Sequence, residues 1–367
     1  MNVYVLGAGV SRKVGYPLGY ELLGAVDCFV RKHSREINRF QFSEWPSLCT
    51  RLEENKNTLV RLAYKFGHFE QLLTVLDQYK MITDEFIIQN INIRKKDRAR
   101  AERLGQEFDT YMKDSNVQDR NTLLFALAEF LQYRHHEDQL SFGMESWSDL
   151  KLFGEKLENG DRVITFNYDS CVERVLLAQG KWSPKNGYGF PVEFNDEAET
   201  KGQGSNVTVL HLHSATGWYK TPAFYTGWDR TISLDPLFLS CLDFPYFDTS
   251  LPEVSNEAEI IIYPTYMKTY ELGGTSDTAL INLWRAAADS LRKAEKVFII
   301  GYSLPQADSA ALSLLLGNCD PEKIRVVNSD MATSRRLSRL FGRKSIAPPL
   351  SFEEWVKAKQ SRSTVGF

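Results

Sequence analysis

Six short apolar runs, each stopping at a glycine, a proline or a polar residue, constrain this chain more than any other feature in it. Val3–Leu6 runs into Gly7, Arg162–Phe166 into Asn167, Val207–Leu212 into His213, Ile260–Tyr263 into Pro264, Lys296–Ile300 into Gly301 and Ile324–Val327 into Asn328. The runs are apolar on both faces and alternate with stretches of helical periodicity. Strands of that kind belong in a parallel sheet, because each crossover lays a helix on a face and leaves no side of the strand wet. Such sheets bind ligands just past the carboxyl ends of their strands. Several of the terminating residues here are polar. The expected fold class is α/β with a parallel sheet.

The stretch from about 20 to 155 reads differently. Phe69, Leu72, Leu73, Leu76 and Tyr79 fall on one helical stripe, and Leu123, Leu124, Leu127, Phe130 and Leu131 make another. No strand run interrupts them, so 20–155 is expected to be a large helical insertion. It would interrupt a sheet domain over 1–330, with 331–367 a C-terminal helical tail. Residues 183–206 read as an irregular loop. The aromatic-rich 218–247, within a loop region over 219–258, would wall a pocket or an interface, or form the private core of a long loop. The basic stretch 94–103, with six Lys or Arg against two Asp or Glu, reads as a solvated helix face rather than a nucleic-acid patch.

A net charge of -3 supplies no field that would gather nucleic acid or a membrane surface. The five cysteines, at 28, 49, 171, 241 and 319, are odd in number and lack metal-ligand spacing. They read as inert thiols in a reducing compartment. The opening Met-Asn-Val-Tyr-Val-Leu-Gly has no basic leader, and no run approaches the roughly 18–20 apolar residues that span a bilayer. The expected location is cytoplasmic.

Gly7-Ala8-Gly9-Val10-Ser11 follows the first strand. Glycines there let backbone approach a pyrophosphate, and the next helix start favours its charge. The full dinucleotide fingerprint is absent, with Arg12 in its last place, and an ordinary tight turn is the competing reading. Asn167 can bond a ribose hydroxyl or a water, and Asp169 a carboxamide N–H; both are also good helix caps. His213 can serve as a base near neutral pH. His211 shares its strand face and reads as a supporting core histidine, with no third ligand for a metal. Gly301, Ser303 and Asp308, and later Asn328 and Asp330, can meet phosphate or ribose, or simply make turns and caps.

Taken in order, these strings resemble the sirtuin (SIR2) fold. Gly7-Ala8-Gly9 with Ser11 is similar to its first motif. Thr165-Phe166-Asn167-Tyr168-Asp169 stands where that family has Thr-Gln-Asn-Ile-Asp, and His213-Ser214 where it has His-Gly. Gly301-Tyr302-Ser303-Leu304 and Val327-Asn328-Ser329-Asp330 complete the set. Phe69-Glu70-Gln71-Leu72-Leu73, Trp218, Pro264-Thr265, Lys268, Pro305 and Asp308 bring the chain closer to the SIR2-like proteins of prokaryotic antiphage defence. The zinc module of the deacylating sirtuins is missing, and Leu18-Gly19-Tyr20 replaces their Asp-Phe-Arg. The resemblance implies a Rossmann-like parallel sheet, no metal and no acetyl-lysine substrate.

It further implies an NAD+ hydrolase that takes NAD+ as substrate and releases nicotinamide and ADP-ribose. Asn167 and His213 would be catalytic. Gly7, Ala8, Gly9, Ser11 and Ser303, together with Thr165 and Gly301 from the matched strings, would bind the dinucleotide. Asp169 would hold the carboxamide, Asp308 would join the residues that bind the dinucleotide, and Asn328 and Asp330 would take the adenosine end. Such an activity would be restrained by homo-oligomerisation or by a co-encoded activator, a HerA-like ATPase or an Argonaute-like protein, since the SIR2-like unit fills the 367 residues. The helical insertion would pack against a sister subunit. Two other classes fit the same strings: a non-catalytic NAD+ or ADP-ribose sensor, and a deacylase or ADP-ribosyltransferase.

Overall fold

The computed structural model of the chain describes residues 1–33, 45–55, 58–67, 69, 71–76, 115–190, 205–213, 215–216, 218–220, 232–234, 278–305, 308–342 and 348–358. The strands among them are β1 (Asn2–Leu6), β2 (Arg162–Thr165), β3 (Thr208–His211), β4 (Trp218–Lys220), β5 (Ile232–Leu234), β6 (Lys296–Ile300) and β7 (Ile324–Val327). The helices are α1 (Leu22–His33), α2 (Trp45–Glu53), α3 (Thr58–Lys65), α4 (Ser115–Ser141), α5 (Ser148–Lys156), α6 (Cys171–Ala178), α7 (Thr278–Lys293), α8 (Ser309–Asn318), α9 (Met331–Leu340) and α10 (Phe352–Lys357).

Five strands form one all-parallel sheet in the order β3-β2-β1-β6-β7. The order runs outward from β1 in one direction, then restarts at β6 and runs outward in the other. That reversal is the topological switch point of a Rossmann-like sheet, where neighbouring crossovers part and leave a crevice. The expected strands at 3–6, 162–166, 207–212, 296–300 and 324–327 are all present, while the one at 260–263 lies outside the described residues. β4 and β5 form a separate antiparallel pair.

The sheet is buried as its sequence demands. Val3, Val5, Val163, Ile164, Val209, Leu210, Val297, Ile299 and Ile300 are at most 1% exposed. At about 1.5–3 kcal/mol for each aliphatic side chain removed from water, these strands carry much of the stability of the unit. On one face Tyr4 stacks on its register partner Phe298 at 5.2 Å, and Phe153 of α5 meets Tyr4 edge-on at 5.5 Å. Trp355 of α10 closes the cluster, 5.6 Å from Phe298 and 6.3 Å from Tyr4. The expected C-terminal tail is therefore part of the sheet's cover. A capping box starts α10: Ser351 Oγ accepts from Glu354 N, and the Glu354 carboxylate accepts from Ser351 N.

The chain divides into two compact units, Met1–Leu18 with Leu131–Pro264 and Lys268–Phe367, and Gly19–Phe130 with Thr265–Met267. The first holds the sheet, and it also takes 131–155 from the stretch expected to be inserted. The second is helical in its described residues. Its core comes from the anticipated stripes: Phe69, Leu72, Leu73 and Leu76, and Leu123, Leu124, Leu127 and Phe130, are buried. Arg51 of α2 pairs with the buried Asp119 of α4 at 2.7 Å. The basic stretch 94–103 lies outside the described residues. Among the described residues no helix is long and apolar enough to cross a membrane.

Candidate functional site at the carboxyl edge of the sheet

One last row of backbone hydrogen bonds sets the site. Phe166 N donates to Leu6 O at 3.2 Å, Leu212 N to Thr165 O at 3.0 Å, Gly7 N to Ile300 O at 3.1 Å, and Gly301 N to Val327 O at 2.9 Å. Gly7, Phe166, Leu212 and Gly301 therefore stand level, and the next residue of each segment leaves the sheet: Ala8, Asn167, His213 and Tyr302. Residues separated by as many as 294 positions are brought into one line by parallel register alone.

His213 is buried among aromatic rings. Phe166 meets it edge-on at 5.1 Å and stacks on Tyr302 at 4.7 Å, and Tyr168 lies 6.2 Å away. Its Nε2 lies 3.3 Å from the carboxylate of Asp308, itself 1% exposed. Tyr302 donates its hydroxyl to the same carboxylate, and Asp308 Oδ1 accepts from Ala311 N as the N-cap of α8. Asp308 thus holds the imidazole and fixes its own position by capping a helix. Tyr302, a residue that nothing in the sequence assigns to the site, is the second group on that carboxylate.

Asn167 is tied from the other side. Its Nδ2 donates to Ser11 Oγ at 3.4 Å, and its N–H donates to Thr165 Oγ1 at 3.1 Å. Ser11, 1% exposed, also bonds the buried Asp169, which accepts from Cys171 N at 3.2 Å. Burial pushes the Asp169 carboxyl above its ordinary range, against the opposing pull of the Ser11 and Cys171 bonds. Ser11, Thr165 and Asp169 are thereby fastened to one another and to Asn167 within the protein.

The glycine turn has a packing explanation. A Cβ on Gly7 would lie 2.5 Å from Tyr302 Cα, and one on Gly9 2.9 Å from Gly301 Cα. Gly9 N donates to Gly301 O, and Gly301 itself sits at φ +59 with Val10 N 2.8 Å from where its Cβ would be. The two turns interlock, and glycine is the residue that lets them. The amides of Gly7, Gly9, Val10 and Ser11 donate internally. A phosphate cradle here narrows to the half-buried Ala8. Beyond Gly301, Arg336 of α9 donates to the carbonyls of Ser303 and Leu304, and Leu304 takes a left-handed φ of 49.

Asn328 and Asp330 are placed one strand further out, and their side chains serve the start of α9. Asn328 Oδ1 accepts from Asp330 N at 2.9 Å, and Asp330 accepts from Ala332 N and Thr333 N as N-cap. The Thr333 hydroxyl first, and then those backbone bonds, hold the exposed Asp330 carboxyl below its ordinary value.

A buried polar cluster, unforeseen from the sequence, underlies the edge. Tyr16 donates to Asp138 Oδ2 at 2.8 Å, Cys171 Sγ lies 3.7 Å from the same oxygen, and Ser170 Oγ and His135 Nδ1 are 2.9 Å apart. Burial raises Asp138 to about 7, opposed by the Tyr16 bond and aided by the neighbouring Asp169. The buried Arg174 pulls it the other way, with a guanidinium that makes no hydrogen bond among the described residues. Burial drives the Cys171 thiol well up, with Asp169 and Asp138 adding to it, so Cys171 is a poor nucleophile. Among the described residues no group of three or more His, Cys, Asp or Glu side chains is arranged to hold a metal ion.

No protein-family model matches the chain, and no curated protein matches it in sequence. The fold and the site together define a class: a Rossmann-like α/β protein with a histidine–aspartate pair and an anchored asparagine at the carboxyl edge of its sheet.

Proposed function

We propose that this protein is an NAD+ hydrolase that cleaves the glycosidic bond to nicotinamide, and that it acts as the NAD-depleting effector of a bacterial antiphage defence system. The observation that carries the reading is the alignment of Asn167 and His213 as the first residues past adjacent strands, with His213 on Asp308 and Asn167 on Ser11. The resemblance of the strand-end strings to SIR2-like proteins supports it.

Nicotinamide leaves as a neutral molecule from a cationic glycoside, so its departure needs no general acid, unlike that of an ordinary sugar. The protein has to hold the ribose, shelter an oxocarbenium-like state and admit one water. With Nδ2 given to Ser11, Asn167 offers Oδ1 to a ribose hydroxyl or to that water. His213 takes the proton as base, and the Asp308 carboxylate stabilises the imidazolium that forms. Ala8, at the turn that Gly7 and Gly9 make possible, faces the pyrophosphate. Asp169 acts mainly through Ser11, which orients the Asn167 amide. Asn328 and Asp330 border the adenosine end. The activity is restrained until homo-oligomerisation or a co-encoded activator, such as a HerA-like ATPase or an Argonaute-like protein, releases it.

The test is nicotinamide release from NAD+ by the purified protein, alone and with its genomic neighbour, beside His213→Ala and Asn167→Ala. Release that both substitutions abolish supports the hydrolase. Tight binding of NAD+ or ADP-ribose without release in any assembly state makes the protein a sensor instead.

A further inference from the structure

We infer that the buried pair His211–Glu173 is a positioning device for Asn167, setting the backbone of the catalytic asparagine from beneath the sheet edge. The inference deepens the hydrolase reading and rests on it for its kinetic consequences. His211 is the last residue of β3 and is fully buried; Glu173 lies in the first turn of α6 and is 1% exposed. The ring spans two segments. Its Nδ1 lies 3.1 Å from the carbonyl oxygen of Asn167, and its Nε2 is paired with Glu173 Oε1. A carbonyl accepts only, so Nδ1 carries a proton in this contact, and a protonated Nε2 beside the carboxylate makes the ring an imidazolium.

A charged pair in a fully buried place is a costly choice if the end served is stability alone, because apolar side chains of similar volume do as well or better. What the pair supplies is direction. Glu173 fixes the ring, and the ring fixes the peptide of Asn167 at the point where β2 has ended and its ladder no longer constrains the chain. The groups that face the ring act on its proton in opposed ways. Burial favours loss of the proton. The Glu173 charge and hydrogen bond, Asp169 and the Asn167 carbonyl together outweigh it, and the His211 pKa is raised above the ordinary value. Tyr188 and Trp218 wall the ring at 6.1 and 5.6 Å and keep water from the pair. The Tyr188 hydroxyl is itself driven well up by burial and by Glu173, so it stays neutral.

A displacement of about 1 Å in a reacting group costs on the order of 100-fold in rate. Glu173→Gln, which keeps the shape and removes the charge, is therefore expected to lower kcat for nicotinamide release about 10- to 100-fold with KM for NAD+ within about threefold. Breaking a buried pair can also unfold a protein, so the double variant His211→Phe with Glu173→Leu removes both members and leaves no orphaned charge. It is expected to match the thermal stability of the wild type while losing kcat to the same degree. A stable double variant with wild-type kcat overturns the inference.

A readout without turnover separates this result from failure of the hydrolase reading. Histidine ring 15N spectra of the wild type are expected to show both His211 nitrogens still protonated where an ordinary histidine has lost one proton, and that proton lost in Glu173→Gln. An ordinary titration near pH 6.5 in the wild type, or an unmoved Asn167 amide signal in the double variant, overturns the positioning role whether or not NAD+ is hydrolysed.

Discussion

Asp138→Asn should make the protein more stable at pH 8 and leave it nearly unchanged in acid. The Asp138 side chain is fully buried, holds one good hydrogen bond from Tyr16, and has Arg134 no nearer than 3.9 Å. Its pKa is moved from 3.8 to about 7. The folded state therefore keeps a proton that the unfolded chain has already released. By linkage, stability falls as pH rises between those two values and is flat below the first and above the second. At about 1.4 kcal/mol per tenfold, the full penalty in the charged form is about 4 kcal/mol, with about 3 kcal/mol of it falling between pH 5 and pH 8. Asparagine has nearly the same shape, still accepts from Tyr16 and never ionises. Urea unfolding of both proteins, followed by fluorescence at pH 5, 6, 7 and 8, measures the difference directly. The variant's advantage should grow by about 3 kcal/mol across that range, a large part of a typical 5–15 kcal/mol stability. A difference that stays constant within about 1 kcal/mol would refute the reasoning.

Asp308→Asn keeps the α8 cap but gives His213 a neutral partner; loss of a charge-assisted bond of about 1.5–3 kcal/mol lowers nicotinamide release about 10- to 100-fold with little change in melting temperature. Gly7→Ala drives a methyl to within 2.5 Å of Tyr302 Cα and costs about 1–3 kcal/mol by calorimetry, whereas Gly24→Ala, on the exposed face of α1 with nothing within 4 Å, gains up to about 1 kcal/mol. Trp355→Ala removes the ring over Tyr4, Phe153 and Phe298 and costs about 3 kcal/mol in urea unfolding.

The sheet was legible because its information is local. A run such as Lys296–Ile300 followed by glycine states both the strand and its end, and parallel register then places Asn167 and His213 without further instruction. What the residues do once placed was less legible. Asn328 and Asp330 carry a ribose reading and a turn or cap reading from the same residue types, and in the structure their side chains serve a turn and a helix cap. Gly7 and Gly9 were read for a phosphate, while their missing side chains make room for Gly301 and Tyr302. Glu173 and Asp138 were not singled out at all. Their partners His211 and Tyr16 lie 38 and 122 residues away, and pairing over such distances leaves no periodic trace. The one local signal was a charge set among buried residues, as in Cys171-Val172-Glu173, where an acid on an otherwise apolar helix face has to have found a partner.

The order β3-β2-β1-β6-β7 also sets a birth order. The first strand made is the central one, and it waits about 150 residues for its neighbour on one side and about 290 for the other. At roughly 5–20 residues per second, that second wait lasts roughly 15–60 s. Gly301, Tyr302 and Asp308 leave the ribosome at its end. A nascent chain has made Asn167 and His213 long before it makes the carboxylate that holds the histidine, so a translation product cut short before β6 carries half of a site and none of its hold on His213.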